Sequence, residues 1–205
     1  MSGDPPQVQA QSHDAEKALL HQYLRSAREA LVWKLEGLSE YDQRRPLVPT
    51  GTNLLGLVKH LSGVEAGYFG LTFDRPFPDS LAWVRHQTDP LADLWATADE
   101  SPERIVEDYR QMWAAADATI EALPLDAPGV VPWWRPQTRD VTLRRIMIHV
   151  VAETHRHAGH ADIVRELIDG TVGLYQGNSN IPADDQVDYV AHYRRLVGIA
   201  EATRR

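Results

Sequence analysis

The segment HVVAETHRHAGH, residues 149–160, gathers four of the chain's nine histidines and one glutamate. Imidazole and carboxylate are the side chains that bind divalent cations and move protons near neutral pH. Glu153 and His157 stand four residues apart, so on a helix both donors leave the same face one turn apart. That spacing lets the two histidines of H-E-x-x-H share a zinc ion. A third donor has to come from another segment, and LVKHLSGVE (57–65) offers His60, with Glu65 as the other candidate. Two imidazoles and one carboxylate suit a catalytic zinc with water in the open position. They suit nickel or ferrous iron equally well. The bland readings stay open: an ion pair within one helix, a wet cavity, or a satisfied core histidine. His149 and His160 lie near the same line, as neighbours or substitute ligands, whereas His155 points largely away.

The elements that must position these residues are helical. Leu143, Ile146, Val150, Ala161, Val164 and Ile168 recur at three- and four-residue steps with one gap of eleven. Glu153 and His157 fall in that gap, where the period calls for apolar side chains. Thr142 caps this helix and Gly170 stops it. The partner segment runs from Leu54 to Tyr68 behind an N-cap at Thr52 or Asn53. A first helix is expected from Asp14 to about Leu38. Another spans Pro102 to Leu123, with Ser101 as cap and proline in the first turn, where its missing N–H costs nothing. Residues 74–100 read as a long connection with a short helix at PLADLW. VDYVAHYRRLVGIAEA reads as a fifth helix, packed on the bundle through Val187, Val190, Tyr193 and Val197 or joining a dimer partner. No strand pattern stands out. The reading is an all-α four-helix bundle over 14–173, a disordered tail at 1–13, and a C-terminal loop and helix over 174–205.

Composition limits the function classes. The chain has 205 residues, a net charge of −8 and no cysteine. That excludes disulfides, a thiol nucleophile and thiolate metal ligands from this chain, and it fits a reducing cytoplasmic setting. The acidic balance argues against a nucleic-acid surface. No apolar run reaches membrane-span length. In the loop before the 142–169 helix, Trp133, Trp134 and Arg135 read as loop packing or as a lid with aromatic walls and an anion-binding arginine. Arg144, Arg145, Arg156 and Arg165 read mainly as surface charges.

GTNLLGLVKHLSGVEAGYFG and HVVAETHRHAGHADIVRELIDG together resemble the DinB-like superfamily of metal-binding four-helix bundles. More narrowly, they resemble a branch known only as a domain of unknown function. The resemblance runs from about Asp14 to Gly173, and ALVWKLEGLSE and SPERIVEDYR fit the same branch. The family's usual pattern is one histidine on the second helix and His-x-x-x-His on the fourth. Matching RHAGH to the common His-His-Arg-Gly-Gln pattern puts His157 on the second histidine of that pair and Glu153 on the first. This departs from the usual triad and is similar to the His, Glu, His set of mycothiol-dependent maleylpyruvate isomerases. The resemblance therefore implies His60, Glu153 and His157 as ligands, with His160 in place of the family's glutamine. It also implies an S-transferase or isomerase using a low-molecular-weight thiol, which must supply the sulfur this chain lacks. The alternative is a non-catalytic bundle, a homodimer among the options, that binds metal or a small molecule.

Overall fold

The computed structural model describes residues 6–85, 89–183 and 185–204, with side chains from His13 onward. Four long helices form the body: α1 (Pro6–Trp33), α3 (Leu54–Glu65), α4 (Pro102–Ala122) and α5 (Leu143–Asp169). A short α2 (Glu40–Arg44) follows α1, and α6 (Tyr189–Ala202) ends the chain. α1 begins eight residues ahead of the expected start. Of the expected tail, residues 1–5 lie outside the described residues and 6–13 extend the helix. Its α-helical part also ends at Trp33, and turns carry the chain to Gly37, whose φ of 74° an L side chain adopts only with strain.

The expected caps hold. Asn53 Oδ1 accepts from Gly56 N at 2.8 Å and Ser101 Oγ from Arg104 N at 3.2 Å. Thr142 Oγ1 accepts from Arg145 N, and Gly170 closes α5 in the left-handed region at φ 78°. α2 escaped the sequence, as did two details in the loops. β1 (Pro128–Val130) pairs antiparallel with β2 (Asp140–Thr142) in the loop ahead of α5. At three residues each, these strands are too short to show alternation. PLADLW is a run of turns, while a 3-10 segment occupies Asp79–Arg85.

The core has two apolar clusters. One, around Leu31, Leu54, Val58, Tyr109 and Val164, joins the C-terminal half of α1 to α3, α4 and the end of α5. The other, around Leu24, Phe69, Met112, Ile120, Ile146 and Val150, fills the opposite end under the β1–β2 loop. Between them, Arg28 is buried from α1 and donates to both oxygens of Glu65, at 2.9 and 2.6 Å, and to Asp117 at 2.7 Å. Burial works against the charge on Arg28. The two carboxylates outweigh it and raise the pKa of the guanidinium.

At the far end Arg165, expected on the surface, is buried. It donates to the Lys34 and Glu36 carbonyls and to Asp169, locking the end of α1 to the end of α5. Its reach down the helix was invisible to a period that counts only apolar positions. α6 forms as expected but has no buried residue, so the anticipated packing of this helix on the bundle is absent. Its face carries Val190 and Tyr193, both more than half exposed. Among the described residues, no helix is long and apolar enough to cross a membrane.

Candidate metal centre

α3 and α5 run side by side, and this brings His60 and the Glu153–His157 pair together. Their ligand atoms lie within 4.8 Å of one another. Glu153 Oε1 is 3.1 Å from His157 Nε2 and 3.8 Å from His60 Nε2. The two imidazole rings meet edge to face, with centroids 4.7 Å apart. Tetrahedral ligands at 2.0–2.1 Å from zinc stand about 3.3–3.4 Å from each other. The observed separations bracket that value, so small side-chain rotations would let all three donors share one cation. Donor chemistry and spacing fit a divalent metal.

Each histidine has its second nitrogen engaged on the far side. His60 Nδ1 lies 2.7 Å from Asp93 Oδ2, so Nδ1–H donates to the carboxylate and Nε2 keeps its lone pair toward the cluster. His157 Nδ1 lies 3.3 Å from His160 Nδ1. His160 therefore stands behind His157 and away from the point where the three donors converge.

Asp93 was not among the sequence candidates. The signal was faint, a single aspartate in PLADLW, thirty-three residues from the histidine it contacts. Its loop is clamped to the start of α3. The Asn53 amide donates to the Leu94 carbonyl at 3.3 Å, and a Cβ on Gly56 would overlap that carbonyl. Lys59 adds bonds to the Trp95 carbonyl and to Glu100.

Electrostatics favour ligation. Burial depresses the His157 pKa, and His60 beside it depresses it further against the pull of Glu153, so the ring is neutral near neutral pH. Burial pushes the Glu153 carboxyl up, but the hydrogen bond from His157 Nε2–H, whose proton a bound cation would displace, and the surrounding histidines outweigh it and hold the group below its usual range. Burial likewise lowers the His149 pKa.

His60 and Glu153 open onto a cleft of about 560 Å³. α3 passes into a π-helical turn at Ala66–Gly70, which brings Tyr68 to the wall. His149 packs edge-on against Tyr68, and Trp133 and Trp83 complete the lining.

The other expected residues go elsewhere. Glu65 is fully buried against Arg28 and is no ligand. Trp134 stands behind the wall and donates to the Tyr68 hydroxyl at 3.2 Å. Arg135 is exposed and is not among the residues lining the cleft. Only Trp133 of that trio faces it. His155 is exposed, edge-on to Tyr23.

The family model for mycothiol-S-transferase matches residues 19–170, from the middle of α1 to the glycine that ends α5. The chain belongs to the mycothiol S-transferase family. The match gives a name to the branch left undefined by the sequence motifs, and it includes every element that supplies the centre. A conserved protein from Enterococcus faecalis, known from its crystal structure, shares the fold of this mycothiol S-transferase family member. The TM-score is 0.53 at 15% identity, over 75% of this chain and 96% of that one. None of the curated proteins matches the chain.

Proposed function

We propose that the protein is a metal-dependent S-transferase that joins a low-molecular-weight thiol to an electrophilic carbon. The convergence of His60, Glu153 and His157, the first two of which line a cleft large enough for a small molecule, carries this reading. Family membership supports the thiol, and the absence of cysteine supports an external source of sulfur. When bound, a divalent cation, zinc in the first place and nickel or iron otherwise, makes a thiol acidic enough to ionise near neutral pH.

The chain's own groups do the rest. Asp93 and His160 hold the two imidazoles with Nε2 directed inward. Glu153 supplies the negative charge. His149, neutral and facing the cleft, is placed to take the S–H proton. The sulfur then forms a C–S bond, and the electrophile's leaving group departs with the displaced electron pair. With His160 behind His157 and Glu65 paired with Arg28, neither would close the donor set from the cleft side, which favours the enzyme over a non-catalytic binding bundle.

The test is metal analysis of untagged protein with a thiol-conjugation assay. A His60→Ala/His157→Ala variant should lose both metal and conjugation. His149→Ala should keep the metal and slow conjugation. Unchanged metal content in the double variant overturns the reading.

A further inference from the structure

The walls of the cleft say more than its floor. Gly63 and Gly67 lie one turn apart on the face of α3 and the following π turn. A Cβ on Gly63 would stand 2.9 Å from the Trp83 ring, and one on Gly67 would stand 2.8 Å from the Trp133 ring. In both cases the nearest atom is Cη2, the outer edge of the indole. Two indoles thus come down end-on against bare helix backbone, about 6 Å apart along the axis. Tyr68 and His149 close the back of this slot. Trp133 is half exposed although large and apolar, so its outer surface remains available to a ligand.

Charge points the same way. Among the described residues lining the cleft, none is lysine or arginine. Lys59 sits over the Trp83 ring but is engaged by Glu100. Arg145 lies over Trp134, outside this cleft. The cleft's own charged groups are the carboxylates of Glu153 and Asp93, which together balance a divalent cation. Apart from the cation itself, no positively charged side chain of the cleft attracts an anion.

From these walls, and resting on the S-transferase reading above, we infer that the electrophile is a neutral, flat, aromatic compound, selected by the Trp83–Trp133 slot. Carboxylate-bearing substrates of the maleylpyruvate type bind less well. Trp83 and Trp133 are specificity-determining residues, and Gly63 and Gly67 keep their places open.

Two non-reactive probes of equal ring size separate shape from charge: 4-nitroanisole, which is neutral, and 4-nitrobenzoate, an anion. Titration calorimetry on the metal-loaded full-length protein should show the neutral ring binding at least about tenfold tighter. Trp133→Ala should weaken 4-nitroanisole about tenfold, with Trp133→Phe recovering most of the loss, because aromatic contact rather than bulk is what binds. Metal content should be unchanged in both variants. Trp133 is half exposed, so these variants keep the fold, and thermal melting checks that. Equal or tighter binding of 4-nitrobenzoate overturns the inference, as does an unaltered 4-nitroanisole affinity in Trp133→Ala. A protein that prefers the neutral ring but holds no metal would contradict the S-transferase reading and leave the slot standing. One that conjugates thiols but favours the anion would do the reverse.

Discussion

At the scale of single residues, the centre depends on how two imidazoles are oriented. A histidine ring has two nitrogens, and the one that carries the proton cannot bind a cation. Asp93 decides this for His60 at 2.7 Å. Asp93→Asn should therefore lower metal affinity about 10–100-fold, the usual effect of losing a ligand's hydrogen-bond partner. The fold should hold, since Asp93 sits at the rim. Competition with a chelator measures the affinity, and an unchanged value would remove Asp93 from the centre. Glu153→Gln removes the only anionic donor and should weaken binding more than Asp93→Asn does. His155→Ala, two residues further along but exposed against Tyr23, should match the unaltered protein in the same titration.

At the scale of elements, the angle between α1 and α5 is fixed by polar bonds at their ends. Arg165 bridges the Lys34 and Glu36 carbonyls just past α1 and holds the Asp169 carboxyl at about 2 through hydrogen bonding, against an ordinary value of 3.8. A carboxyl depressed in the folded state lends stability that is fully present above its ordinary value. That stability is lost as pH falls toward the folded value. Urea unfolding followed from pH 5 down to pH 2 should show a loss below about pH 4. In Asp169→Asn that part of the loss should be missing. The same acid limb in both proteins would mean the bond adds nothing to the lock. Lys34 strengthens the same joint, pairing with Asp162 at 2.7 Å and donating to the Gly173 carbonyl.

At the scale of the whole molecule, the Arg28–Glu65 pair spans the level where the two apolar clusters meet. Arg28→Ala strands a buried carboxylate and should cost about 3–5 kcal/mol of stability. Arg28→Met with Glu65→Leu, which removes both charges, should recover most of that. Denaturant titration compares them, and equal destabilisation in the two variants would deny the pair its role. α6 behaves oppositely. With no buried residue it adds nothing to the core. Removing residues 189–205 should shift Tm by less than about 2 °C and leave the metal content as it was. A drop of many degrees would mean that α6 is covered in solution.

The sequence by itself determined the helices, their caps and the candidate triad. Periodicity is a local property, so the gap in the 143–168 stripe marked Glu153 and His157 before any partner was known. Asn53, Ser101, Thr142 and Gly170 announced the helix ends because capping is settled within a turn. Tertiary structure decided what depends on distant chain. Glu65 and His60 look alike as candidates on one helix, five residues apart. Five residues turn them roughly 140° around the axis. One faces Arg28 in the interior, and the other faces α5. Asp93 entered the site through a loop whose course no local rule fixes. Arg165 went inward to the carbonyls just past the end of α1, and Arg135 stayed exposed while Trp133, two residues earlier in the same loop, lines the cleft. The chain's short-range pattern thus named the candidate donors. Only the packing of α3 against α5, and of the loops over both, settled which nitrogen each histidine offers and what kind of cleft it faces.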